Sequence, residues 1–138
     1  MTAVEPAFRS VPAYVRTLGP VVAGVAATAG YVPDDEQAAA LDAIFGLRAD
    51  NTVASYEAAV IACRQNLKTA LFKMCALGWL FVTDQRLIVW SAHEFSTAQE
   101  AHRDLAELIE GSGPLRRDRK STRLNSSHRN TSRMPSSA

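Results

Sequence analysis

The sequence has few cysteines, no long hydrophobic run and little net charge. Its 138 residues include only Cys63 and Cys75, which are too few for a disulfide framework and too far apart for a C-x-x-C pair. The three histidines add no ligand spacing typical of zinc. No apolar run approaches the ~18 residues of a membrane span, and the N-terminus lacks the pattern of a secretory signal. These absences favour a protein of a reducing cytoplasm without a membrane partner.

The composition is that of one globular domain followed by a basic tail. Hydrophobic residues make up 47 % of the chain and charged residues 21 %, which is typical of a folded domain. The formal net charge of +1 is unevenly distributed. Up to Arg117 there are 10 basic and 13 acidic residues, whereas the remainder has 5 basic and 1 acidic. The globular part is therefore mildly acidic.

Residues 118–138 differ in kind from the rest of the chain. Only Leu124, Met134 and Ala138 are hydrophobic there, so this stretch cannot bury enough apolar surface to fold, and disorder is expected. The strings DRKSTRLNSSH and SRMPSSA resemble the translation of a short-read sequencing adaptor on either side of three variable residues. The resemblance implies a non-native tail and a natural reading frame cut near Arg117.

Residues 1–117 contain helix and strand patterns in an alternating order. The proline-containing opening predicts an extended arm with a helical turn at 13–18, and residues 21–30 predict a short helix ended by Gly30. Further helices are predicted from the Asp34 cap through Leu47, from Lys68 to about Val82, and from the Ser96 cap through Glu110. The apolar stretches at 57–62 and 86–92 predict buried strands. No internal repeat is visible.

This order predicts an α/β fold with a parallel sheet and right-handed crossovers. The expected units are an N-terminal arm with helices at 1–55, a partial P-loop NTPase core at 56–117, and a disordered tail at 118–138. In the core, a strand, a loop, a helix, a second strand and a second helix follow one another. Antiparallel pairing of the two strands would contradict this prediction.

The stretch IACRQNLKTA, residues 61–70, lies where a phosphate-binding loop belongs, between the first strand and its helix. Laid on the pattern G-x-x-x-x-G-K-[ST], it keeps Lys68 and Thr69 but has Ala62 and Leu67 in place of the glycines. Glycines permit positive φ and close approach of phosphate to the backbone. The stretch is therefore either a variant phosphate loop or an ordinary helix start.

Several longer stretches resemble one protein family. The R-Q-N-x-K-T motif and, further on, S-A-H-x-x-x-T-A-Q-E-A resemble the start of the large terminase subunit of tailed bacteriophages, especially those of actinobacteria. The likeness covers about residues 9–111. It also includes RSVPAYVRTLGP and VPDDEQ. In that family this region belongs to a motor ATPase that packages DNA, and an endonuclease domain follows it.

The resemblance implies an ATP and Mg²⁺ site. The family's variant loop corresponds to Arg64, Gln65, Asn66, Leu67, Lys68 and Thr69. Lys68 would reach the β- and γ-phosphates, the Thr69 hydroxyl would bind Mg²⁺, and Arg64 suits the γ-phosphate. Gln37 lies where the family has a glutamine that reads adenine. The alternative for Gln37 is a plain helix-surface residue, and the two remain equally weighted. Cys63 departs from the family's proline.

The residues needed for hydrolysis are missing before residue 118. A Walker B carboxylate would be required to hold Mg²⁺, and the nuclease carboxylates are absent as well. The expectation is therefore an inactive, truncated ATP-binding part of the motor, in the cytoplasm of an infected bacterium. The parent's partners would be double-stranded DNA, the portal protein and the small terminase subunit, with oligomers only in the full-length motor. The alternatives are a non-catalytic α/β fragment without function and another P-loop protein such as a small kinase.

Overall fold

The computed structural model describes residues 6, 8–62 and 68–117, in which helices predominate. In chain order the elements are β1 (Arg16–Thr17), α1 (Gly19–Thr28), α2 (Asp35–Ile44), β2 (Gly46–Leu47), α3 (Lys68–Phe81) and α4 (Phe95–Gly111). A further short helical stretch covers residues 113–117. The predicted disordered tail, 118–138, lies outside the described residues. No helix among the described residues has the length and hydropathy needed to cross a membrane.

Local signals explain where α1 and α2 begin and end. Pro20 lies in the first turn of α1, where its fixed φ favours a helix, and Gly30 follows the helix with φ +92°. At α2, Asp34 Oδ1 accepts the Gln37 N–H at 2.7 Å, and Gln37 Oε1 accepts the Asp34 N–H at 3.0 Å. This reciprocal capping box satisfies two backbone donors at the helix start. The predicted Asp34 cap is confirmed.

The core lies where α1 packs against both α2 and α3. Val22 and Ala26 of α1, Leu41 of α2 and the inner face of α3 have no exposed side-chain surface or almost none. Gly78 permits the close approach of α3, since a Cβ there would lie 2.7 Å from both Val22 methyl groups and 2.8 Å from Phe45 Cζ. Seven residues of α3 are buried: Leu71, Lys73, Met74, Cys75, Ala76, Leu77 and Gly78.

The predicted parallel α/β sheet is wrong. The sheet in the described part of the chain has two strands, β1 and β2, which pair antiparallel with Arg16 opposite Leu47 and Thr17 opposite Gly46. An isolated bridge, Leu47 to Val53, extends it. The predicted P-loop NTPase fold is therefore wrong as well, since that fold requires a parallel sheet.

The two stretches predicted as strands, 57–62 and 86–92, form neither helix nor sheet. Parallel strands need hydrogen-bonding neighbours and helices over both faces, and a lone pair of strands is marginally stable in water. In the described part of the chain no further strand flanks either stretch. Ile61, for example, is 97 % exposed. The apolar composition that suggested buried strands therefore remains partly unburied.

Three smaller predictions also need correction. Residues 13–18 do not form a helical turn, because Arg16 and Thr17 are β1. The second helix ends at Ile44 rather than Leu47, because Gly46 and Leu47 pair with β1. Gly46 also approaches the Tyr14 ring so closely that a Cβ would lie 2.8 Å from it. Finally, α4 begins at Phe95 after Glu94, so Ser96 is inside the first turn and is not its cap.

Candidate functional site

The motif singled out from the sequence ends at the N-terminus of α3. Lys68 and Thr69 are the first two residues of that helix. The Lys68 side chain is half-buried and Thr69 is exposed. Free N–H groups and the positive end of the helix dipole at such a position attract anions. The local arrangement of these two residues is therefore compatible with phosphate, and an exposed hydroxyl is an acceptable oxygen ligand for Mg²⁺.

The remaining loop residues proposed for the site, Arg64, Gln65, Asn66 and Leu67, lie outside the described residues, as does Cys63. The structure therefore brings together only Lys68 and Thr69 of the predicted phosphate-binding set. Within the described ranges there is no group of three or more His, Cys, Asp and Glu side chains that could hold a metal ion.

Gln37, predicted either to read adenine or to lie on a helix surface, is buried in the first turn of α2. Its Oε1 accepts the Asp34 N–H at 3.0 Å, so one acceptor lone pair is already used. An amide oxygen has a second lone pair, and the amide NH₂ keeps its donors. The capping role is observed; the adenine-reading role stays a prediction.

A buried lysine on α3, Lys73, forms an ion pair that was not predicted from the sequence. Lys73 Nζ donates to Asp104 Oδ2 of α4 at 2.7 Å, with side-chain exposures of 9 % and 39 % respectively. Together with Tyr31, Asp104 lines an open cleft of ≈ 500 Å³ between the end of α1 and α4. The signal was present in the sequence, because Lys73 is the one charge inside the apolar run from Ala70 to Val82.

The two partners of this pair have pKa values shifted in opposite directions. Burial lowers the pKa of Lys73, but its hydrogen bond to Asp104, together with smaller contributions from Tyr31 and the Asp104 charge, outweighs burial and raises the pKa above 10.5. The hydrogen bond from Lys73 lowers the pKa of Asp104 below 3.8. Both shifts favour the charged forms, so the pair joins α3 to α4 across the neutral pH range.

We expect this pair to contribute a specific pH dependence to stability. The lowered pKa of Asp104 stabilises the fold fully above 3.8, and the contribution is lost as pH falls through the lower folded value. The raised pKa of Lys73 stabilises fully below 10.5, and that contribution is lost as pH rises through the higher folded value. Asp104→Asn should therefore lower the urea midpoint at neutral pH and flatten its fall in acid.

The measurement is urea unfolding followed by circular dichroism at a series of pH values. Glu107→Gln is the matched control, because it neutralises an exposed carboxylate on the same helix. The control should keep the wild-type dependence on pH. Identical curves for Asp104→Asn and the wild type would show that the pair contributes nothing.

The second buried group on α3, the Cys75 thiol, is unreactive at neutral pH. Burial raises the pKa of the Cys75 thiol to about 12. The thiolate is the reactive form of cysteine, so Cys75 is not a nucleophile at neutral pH. It belongs to the core with Leu71 and Met74.

Comparison of the chain with protein-family models, with curated proteins and with solved structures gives no match. The assignment of function therefore depends on the motifs and on the geometry at the start of α3.

Proposed function

We propose that this chain is part of the ATP-binding portion of a bacteriophage DNA-packaging motor, the large terminase subunit. The observation that carries the proposal is the start of α3 at Lys68 and Thr69, directly after the Arg64–Leu67 positions of the R-Q-N-x-K-T motif. A lysine and a hydroxyl residue at a helix N-terminus are the groups that phosphate recognition requires. The S-A-H-x-x-x-T-A-Q-E-A motif leads into α4 and supports the same family.

In this proposal the phosphates of ATP lie at the N-terminus of α3. The Lys68 ammonium neutralises phosphate charge, the Thr69 hydroxyl supplies one oxygen to Mg²⁺, and Arg64 contacts the γ-phosphate. The adenine lies against α2, where the Gln37 NH₂ donates to it. Double-stranded DNA, the portal protein and the small terminase subunit are the partners of the motor in this family.

A second candidate, a non-catalytic fragment, is favoured by a different observation. The described residues form a helical layer with a two-stranded antiparallel sheet. The parallel strands that carry catalytic carboxylates in nucleotide-driven motors are not formed in the described part. Nucleotide titration separates the two candidates, because a fragment without a site binds no nucleotide at Lys68.

We expect weak Mg-ATP binding by the chain, with a dissociation constant on the order of millimolar, or about −4 kcal/mol, and no turnover. Lys68→Ala should abolish this binding, because the helix amides alone attract phosphate feebly. Arg103→Ala, which removes a cation from the exposed face of α4, is the matched control and should leave affinity unchanged. Calorimetric titration and a phosphate-release assay provide the two readouts.

Gln37→Glu tests the adenine role separately from the capping role. Glutamate keeps the side-chain oxygen that accepts the Asp34 N–H but loses the amide donors that adenine recognition needs. Weaker binding of ATP with unchanged binding of inorganic triphosphate would support the adenine role. Micromolar binding that survives Lys68→Ala, or measurable ATPase activity, would contradict the proposed site.

A further inference from the structure

The unpaired segment, residues 86–94 between α3 and α4, shows at residues 87–91 the alternating exposure of a β-strand without a β-partner. Leu87 and Val89 are 78 % and 81 % exposed, whereas Ile88 and Trp90 are half-buried. This alternation is the period of an extended strand that packs one face only. At its end, Glu94 has extended backbone angles, φ −122° and ψ 138°.

The packed face of the unpaired segment lies on α3. The Trp90 ring meets Phe72 edge to face with centroids 6.3 Å apart, and Ile88 shares a groove of ≈ 240 Å³ with Ala76 and Trp79. Ile88 and Trp90 therefore pack against the helix. Val89 also borders this groove, but Leu87 and Val89 remain largely exposed.

The main chain of the unpaired segment, from residue 86 to residue 93, has no backbone hydrogen-bonding partner among the described residues. An apolar strand with free N–H and C=O groups is a template for another strand. Residues 87–92 contain no charge, proline or glycine, so nothing in this stretch opposes such pairing.

The charges at the two ends of the unpaired segment indicate which strand can pair with it. Arg86 and Glu94 are both exposed and lie symmetrically about Trp90. If a second copy pairs antiparallel with Trp90 opposite Trp90, Arg86 of each copy faces Glu94 of the other. Parallel pairing would place like charges opposite each other, which is destabilising. The sequence of the segment is therefore complementary to itself in one direction only.

The same register makes the contact between the two copies symmetric. Residues directly opposite in an antiparallel pair share a face of the sheet, and here each pair joins two even or two odd positions. The two copies are then related by a twofold axis perpendicular to the strands, so the same edge of the segment is used in both copies and the contact is isologous. The other apolar stretch of the chain, residues 57–62, carries only one charged residue, Glu57, and can match only one end of the unpaired segment.

We propose that residues 86–94 pair antiparallel with the same residues of a second copy of this chain, closing a symmetric dimer. The dimer is independent of nucleotide binding at Lys68. Its contacts are main-chain hydrogen bonds, two Arg86 to Glu94 ion pairs and the shared burial of the exposed apolar face.

The test is sedimentation equilibrium of the full chain over a range of concentrations. The wild type should dimerise, and Arg86→Glu or Glu94→Arg alone should each weaken the dimer about tenfold, because each replaces two attractive pairs with two repulsive ones. The double variant R86E/E94R restores both pairs and should return to within about threefold of the wild type. Glu100→Arg, the same charge change at an exposed position of α4, should have no effect.

A second variant distinguishes loss of the dimer from misfolding of the chain. Val89→Lys alters a side chain that is 81 % exposed, so its circular dichroism should match the wild type while its dimer is lost. A wild type that stays monomeric, a dimer that tolerates Val89→Lys, or a double variant as weak as the single ones would overturn the proposal.

Discussion

Gly19→Ala is expected to destabilise the protein by about 3 kcal/mol, at the upper end of the usual cost of overpacking. Gly19 begins α1, and a Cβ there would lie 2.8 Å from both the backbone nitrogen and the Cα of Asp42 in α2. A flexible side chain could move aside, but these are backbone atoms. The two helices would have to separate, which would open the core between Val22 and Leu41.

Gly24→Ala provides the matched control on the same helix. A Cβ at Gly24 would meet no atom within 4 Å, and alanine favours the helix, so stability should rise by about 0.5–1 kcal/mol. Urea unfolding followed by circular dichroism measures both variants. If Gly19→Ala were as stable as the wild type, α1 and α2 would not be in close contact at this point.

Leu41→Ala is expected to cost about 2–5 kcal/mol, because it removes buried methyl groups and leaves a cavity. Leu41 has no exposed surface and belongs to the core cluster with Leu71 and Leu77. In a domain whose total stability is about 5–15 kcal/mol, the larger value would leave part of the population unfolded at 37 °C.

Leu87→Ala is the control for this truncation. Leu87 is 78 % exposed, so the same change of side chain should alter the stability of the monomer by less than about 0.5 kcal/mol. Thermal and urea unfolding at low protein concentration give the comparison. Equal losses for the two variants would mean that Leu41 is not in the core.

Helices with strong local signals could be predicted from the sequence. The α2 start follows from Asp34, whose side chain caps the helix, and α3 follows from an apolar run that begins after Lys68. Such signals act over three or four residues, so they do not depend on the rest of the fold. The predicted starts of α2 and α3 are confirmed for this reason.

Strand pairing could not be predicted in the same way. The stretches 57–62 and 86–92 have the composition of buried strands, but a strand forms only against a partner strand, which can be distant in the chain. The strands actually formed, Arg16–Thr17 and Gly46–Leu47, have two residues each and no apolar alternation to reveal them. Gly46 pairs there because it fits beneath Tyr14, which no local pattern encodes.

The candidate site was predictable only in part, for a related reason. Lys68 and Thr69 stand at a helix start because the apolar run of α3 begins directly after them, at Ala70. Gln37 was expected to be either an adenine reader or a surface residue, yet it is buried in a capping box with Asp34. The ion pair between Lys73 and Asp104 joins residues 31 positions apart, so only the three-dimensional structure reveals it.

Alkylation of the buried Cys75 thiol can be used to detect opening of the core. With a pKa of about 12 and no exposed surface, it is shielded from alkylating reagents while α3 stays packed, and it becomes reactive when the helix separates from α1. In a Cys63→Ser background, the rate at which Cys75 is labelled therefore counts opening events in the native state. The ratio of that rate to the rate in unfolded chain gives the free energy of opening in the absence of denaturant, at one atom in the centre of the molecule.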